Sequence, residues 1–193
     1  MRCPIHPNTS LEPQTIEPGI EVMTCPKCQG IWMSMAAYWD WRKTLKDPLP
    51  NLQAERGGSD VALVDSEAGK RCPFDGAFLI RHQVGHGIDF HVDRCGRCGG
   101  IWLDAGEWET LRTRQMHDDL HLIFTSSWQA EVRRQRRAKA DEQLLLDRLG
   151  QADYRRAVET KNWIDGSTES ELLYAFFEGL FEVGSNAVDD LFG

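Results

Sequence analysis

The sequence predicts an α+β chain in which two small β-hairpin modules, each followed by a helix, precede a helical C-terminal region. Three observations predict it. The stretch TCPKCQGIWMSMAAYWDWR, starting at Thr24, is written again seventy residues later as RCGRCGGIWLDAGEWETLR, starting at Arg94. Short runs of alternating apolar residues precede both copies, Ile20 and Val22 in the first and Phe90 and Val92 in the second, which is the period of half-buried strands. From about Trp128 the composition becomes that of a long helix, broken at Gly150 and stopped at Gly166.

The repeat extends to the start of the chain. Arg2, Cys3 and Pro4 align with Arg71, Cys72 and Pro73, and Cys25 and Cys28 with Cys95 and Cys98. Gly19 and Gly87 mark the hairpin turns. After Gly-Ile-Trp in each copy comes a helix start: Asp104 with Glu107 has the spacing of a capping box, whereas Ser34 caps without such a partner. Residues 44–70 mix Pro, Gly and polar residues without a sustained period and read as a connector. The expected organisation is a first module over 1–43, a linker over 44–70, a second module over 71–115 and a helical region over 116–193. There, Thr168 with Glu171 opens a last helix running to Gly184. It sets Leu172, Leu173, Phe176, Phe177, Leu180 and Phe181 along one stripe at helical spacing.

The cysteines carry the chemistry. Zinc favours four ligands in a tetrahedron, and two pairs on tight turns supply that at low backbone strain. The first set is Cys3 and His6 with Cys25 and Cys28, which points to a structural zinc. The second is Cys72, Cys95 and Cys98 with Asp75 at the position of His6; His82, His86 and His91 lie nearby as alternative fourth ligands. Two Zn2+ per chain are expected. Three cysteines per module cannot pair within it, which disfavours a disulfide framework. A redox Cys-x-x-Cys belongs to a different, larger context. A module of about 40 residues seldom has a sufficient apolar core, so metal binding should drive its folding.

CPFDGAFL followed by RCGRCGGIWLDAGEWETL resembles the zinc-ribbon family named after the transcription factor TFIIB zinc finger. Cys95, Cys98, Gly99, Gly100, Ile101, Trp102, Leu103, Asp104, Gly106 and Glu107 all fit its pattern, and residues 2–42 look like a diverged second copy. His6 and Asp75 replace the second cysteine of the family's first knuckle, and Gly96 replaces a proline. The resemblance implies two tandem zinc ribbons, with nucleic-acid or polymerase contact suggested by the family's name.

Charge and composition narrow the function. The formal charge of −8 opposes a phosphate backbone, and VRRQRRAKA, with Arg133, Arg134, Arg136, Arg137 and Lys139, is the one dense basic run. No apolar run is long enough to cross a membrane, and the first ten residues lack the apolar core of a secretory signal, so the expected location is the cytoplasm. The favoured reading is a non-enzymatic adaptor or regulatory protein. It would bind a protein partner, or a second copy, through the C-terminal helix or through Tyr38, Trp39 and Trp41 as exposed aromatics, with packing of the two modules against each other an equally weighted reading of those three. Nucleic-acid binding by the basic run is a less favoured alternative. A metal-dependent enzyme, with a labile Asp75 and with His86, His91 or Glu107 moving protons, is a third.

Overall fold

The computed structural model describes residues 1–45 and 64–179. The chain divides into two units, Met1–Gln135 and Arg136–Gly193. The fold is α+β, as the sequence predicts.

In the first unit each module contributes three strands and a helix. The first supplies β1 (Glu12–Glu17), β2 (Ile20–Thr24), β3 (Ile31–Met33) and α1 (Met35–Arg42). The second supplies β4 (Leu79–Gly85), β5 (Ile88–Cys95), β6 (Ile101–Leu103) and α2 (Glu107–Thr113). The strands form a single six-stranded antiparallel sheet in the order β1-β2-β3-β6-β5-β4. The modules therefore do not lie side by side as separate ribbons. Their short third strands pair with each other, Trp32 opposite Trp102, with Ile31 opposite Leu103 and Met33 opposite Ile101.

That register places a local two-fold between the two tryptophans, and the glycines of the repeated Gly-Ile-Trp make it sterically feasible. A Cβ on Gly30 would lie 2.2 Å from Cζ2 of Trp102, and a Cβ on Gly100 would lie 2.2 Å from Cζ2 of Trp32. Each glycine makes room for the other module's indole. Trp32 and Trp102 are buried in one cluster with Cys3, Cys25, Cys72, Cys95 and Leu11, so both cysteine sets share a single apolar surrounding.

A second core lies under the helices. Ile20, Val22, Phe90 and Val92 point into it by strand alternation, and Tyr38, Trp41, Trp108 and Leu111 come down from α1 and α2. Of the two expectations for these aromatics, exposed anchors or packing between the modules, the structure gives packing for Tyr38 and Trp41. Tyr38 is fully buried and donates its hydroxyl proton to the Asp118 carbonyl at 2.6 Å, while Trp41 packs edge-on against Trp108. Trp39 alone of the three stays exposed, its ring tilted against His121.

The helix starts differ from their sequence signals in one case. Ser34 caps α1 by accepting from the Ala37 N–H at 3.1 Å. At α2 only half a capping box forms: Glu107 accepts from the Asp104 N–H at 2.8 Å, but the Asp104 carboxylate is engaged elsewhere and Gly106, at φ 83°, takes the cap position. A short α3 (Leu120–Ile123) follows, then α4 (Ser126–Asp165). The start of α4 covers the edge of β4, where the Trp128 indole N–H donates to the Val84 carbonyl at 2.8 Å and Gln129 donates to Gln83.

In the second unit α4 breaks at Gly150, whose φ of 74° and ψ of 162° are not helical, as the glycine predicts. Tyr154 donates to Glu142 across the break. Residues 170–179 are helical, and of the apolar stripe Leu172 and Phe176 are exposed; Leu180 and Phe181 lie outside the described residues. On α4, Leu145, Leu149 and Trp163 are exposed as well, whereas Val158 is half-buried and Ile164 is buried.

Candidate metal centres

Each candidate centre is made by two tight turns brought together by a hairpin. In the first module the Cys3 N–H donates to the Thr9 carbonyl and the Cys25 N–H to the Gly30 carbonyl; in the second, Cys72 donates to Ala77 and Cys95 to Gly100. The second turn of each pair needs a residue at positive φ. Gly99 takes that conformation at 74° without steric cost, whereas Gln29 holds it at 58° as a side-chain-bearing residue. Backbone N–H groups then point at sulfur: His6 toward Cys3 at 3.3 Å, Phe74 and Asp75 toward Cys72 at 3.4 Å, and Arg97 toward Cys95 at 3.4 Å.

These turns bring together Cys3, His6, Cys25 and Cys28 in one cluster and Cys72, Asp75, Cys95 and Cys98 in the other, with all ligand atoms of a cluster within 4.8 Å of one another. A zinc tetrahedron has edges of about 3.8 Å between sulfurs and about 3.6 Å from sulfur to nitrogen or oxygen. Here Cys3 Sγ and Cys28 Sγ are 3.7 Å apart, and His6 Nδ1 is 3.9 Å from the sulfurs of both Cys3 and Cys25. In the second cluster Cys72 and Cys98 are 3.6 Å apart, and the Asp75 carboxylate oxygens lie 3.4 and 3.5 Å from Cys95 Sγ. The donor sets fit a tetrahedral divalent metal in both places, and no cysteine is in a disulfide.

The three histidines weighed against Asp75 are used elsewhere. His82 lies against Phe124 and bonds the Ile80 carbonyl, His86 lies tilted against Trp128, and His91 bonds Asp65 at 3.0 Å. The Ala77 N–H, with the Cys72 and Cys95 thiols, holds the Asp75 carboxyl below its ordinary range, so it presents a carboxylate. Burial pushes the Cys28 and Cys72 thiols up to about 12, whereas at Cys25 the N–H groups of Cys28 and Lys27 and the neighbouring thiols outweigh burial and bring it to about 7. A bound dication reverses the penalty on the buried thiolates, because its charge is the largest in the site.

Beside the second centre lies an ionic cluster that the sequence reading missed. Lys70, its side chain 1% exposed, donates to Asp93 at 2.6 Å and to Asp104 at 2.8 Å. Burial works against its charge, but the hydrogen bonds to Asp104 and Asp93 outweigh it and hold the ammonium above its ordinary value. Asp104 also accepts from the Trp102 indole N–H at 2.7 Å and from the Ser66 N–H at 2.9 Å, which is why it does not cap α2. Asp65 pairs with Arg81 and His91. A signal was present in the repeat: Lys70, Asp93 and Asp104 stand where the first module has Met1, Met23 and Ser34, three coordinated exchanges in positions the strands bring together.

Glu107 completes this cluster, its carboxylate within 4.8 Å of those of Asp65 and Asp104. Burial first, then the negative charges of Asp104 and Asp65, raise it to about 9 from an ordinary 4.5. The native state therefore binds one more proton than the unfolded chain between those values, and stability drains away as pH rises through that window. Between pH 6 and 8 the loss is expected to be about 2.7 kcal/mol relative to Glu107→Gln, which keeps the acceptor for Asp104 and does not titrate. Urea unfolding of both proteins at the two pH values measures it; parallel pH profiles would contradict it.

Comparison with known families agrees with this geometry over one module: residues 71–114 match the family described as transcription factor zinc-finger. The match contains all four residues of the second cluster, and the first cluster reproduces its turn geometry in residues 3–28. No curated protein and no solved structure matches the chain.

Proposed function

We propose that the chain is a zinc-binding, non-enzymatic adaptor or regulatory protein, two zinc ions stapling one fused sheet whose surfaces bind a protein partner. The observation that carries this reading is the closure of both donor sets. Each supplies four protein ligands within one tetrahedron's reach, sulfur-rich and buried at two of the four, which is the pattern of structural rather than catalytic zinc. Each zinc would hold two turns together and keep the shared tryptophan layer in register. Protein association, with a partner or a second copy, is supported by the exposed Leu172 and Phe176 of the C-terminal helix. Among the described residues no helix is long and apolar enough to cross a membrane.

The basic run gives nucleic-acid binding less support. Arg134 is closed onto Glu131 by two hydrogen bonds of 2.7 and 2.8 Å, and no aromatic is interleaved with the arginines to stack on bases.

Cobalt substitution separates a structural from a catalytic reading. With four protein ligands in place, the visible bands of Co2+ in both sites are expected to be those of a tetrahedral, thiolate-rich centre and to stay unchanged when azide or thiocyanate is added. Bands that shift on adding either anion would reveal an open position at one metal and favour an enzyme.

A further inference from the structure

The second unit has little to bury itself in. Among its described residues only Ile164 is buried, while Leu144, Leu145, Leu149, Trp163, Leu172 and Phe176 are each 46% to 67% exposed. Apolar helix faces this open to water mark a surface that something else covers. These side chains belong to two helical faces of opposite charge. On α4, Arg133, Arg137, Leu144 and Arg148, all exposed, follow one another at spacings of four, seven and four, so they share a face, and Leu145 stands beside it. Asp141 borders this face, whereas Glu142 accepts from Tyr154 and Asp147 from Gln143. On the helix over residues 170–179, Leu172 and Phe176 share a face. Glu169 opens that face one turn earlier, its carbonyl accepting from the Leu173 N–H at 3.1 Å. Residues 167–179 contain Glu169, Glu171 and Glu178 and no Lys or Arg.

From this pairing of charge and apolar exposure we infer that the two faces are the halves of a self-association surface, the acidic helix of one copy packing on the basic face of α4 in a second copy. The inference rests on the association reading above and names its partner. Both faces are open within one chain, since Leu144 and Leu145 are uncovered along with Leu172 and Phe176. A second copy brings the complement of each. A two-fold pair of chains satisfies both faces of both copies with one kind of contact, and it closes. A foreign partner would have to carry an acidic and a basic apolar face at once. Arg137 and Arg148 flank Leu144, one on each side, so Glu169 meets an arginine whichever way the two helices run. Leu172 and Phe176 then cover Leu144 and the small Ala140 between Arg137 and Leu144. Acidic against acidic, or basic against basic, would repel, which leaves the crossed pairing.

The test is analytical ultracentrifugation of the intact protein and of two charge-reversed variants. Wild type is expected to be a dimer at about 100 μM. Glu169→Arg with Glu171→Arg, and Arg137→Glu with Arg148→Glu, alter exposed side chains only, and each variant alone should self-associate about tenfold or more weakly. Mixed in equal amounts, the two variants should pair with each other at close to wild-type strength. The reversed helix of one then meets the reversed face of the other, and the second contact of the pair keeps its native charges. No pairing in the mixture, or a dimer that persists unweakened in both variants, overturns the inference. Zinc content of the same samples keeps the two readings apart. A zinc-loaded wild type that stays monomeric at about 100 μM overturns self-association alone and leaves the adaptor a foreign partner; a dimer without zinc removes the zinc reading alone.

Discussion

Stripping metal from the protein is expected to unfold the whole first unit, not to loosen two independent knuckles. Structural zinc in small peptides contributes on the order of 10 to 16 kcal/mol, while an entire domain is stable by about 5 to 15 kcal/mol. The loss of even one ion is therefore as large as the whole stability of an ordinary domain. The sites are also coupled, because Cys3 and Cys25 of one set and Cys72 and Cys95 of the other line the same buried cluster around Trp32 and Trp102. His6→Ala should thus weaken metal retention at the second site as well as the first. Chelator titration followed by circular dichroism and tryptophan fluorescence should show one cooperative transition; two resolved steps, with the second module still folded after the first, would break the coupling argument.

Replacing either glycine of the Gly-Ile-Trp repeats should be the most damaging small substitution in the fold. In Gly100→Ala the new methyl would sit 2.2 Å from Cζ2 and 2.5 Å from Cη2 of Trp32, far inside contact distance, and an indole buried to 3% exposure has nowhere to swing. Overpacked cores usually lose 1 to 3 kcal/mol, and a rigid ring in a shared layer places this case at about 3 kcal/mol or more. The damage should be specific across the two-fold. Trp32→Leu is expected to recover part of the loss in Gly100→Ala but nothing in Gly30→Ala, whose clash is with Trp102. Denaturant unfolding of the single and double variants gives the coupling energies. A loss below about 1 kcal/mol, or rescue by the wrong tryptophan, would contradict the reciprocal packing.

Much of this arrangement is written locally in the sequence. The Cys3-x-x-His6 and Cys25-x-x-Cys28 spacings place candidate donors on turns, Ile20 and Val22 alternate as a half-buried strand must, Ser34 caps α1, and Gly150 breaks α4. Asp75 was legible by alignment with His6, and the structure brings its carboxylate beside Cys72, Cys95 and Cys98. What the sequence hides is long-range. Nothing periodic in Gly-Ile-Trp announces that β3 and β6 pair, so exposure and packing between the modules stay equally open for Tyr38 and Trp41 until the fused sheet supplies a core deep enough to bury them. Residues 64–70 look like connector because their order comes from Asp93, Asp104, Arg81 and His91, all distant in the chain. Asp104 and Glu107 have capping-box spacing, and burial beside Lys70 gave the aspartate a stronger partner than a helix N-terminus.

The central claim, that both modules hold a structural zinc in the fused sheet, is tested most directly by native mass spectrometry of the intact protein purified without added metal. The masses of wild type, His6→Ala and Asp75→Ala would be compared. The account predicts two zinc ions on the wild-type chain and depleted occupancy in each variant. A wild-type chain carrying one zinc, unchanged in Asp75→Ala, would mean that the Cys72, Asp75, Cys95 and Cys98 cluster holds no metal and that the second module folds on its apolar and ionic contacts alone.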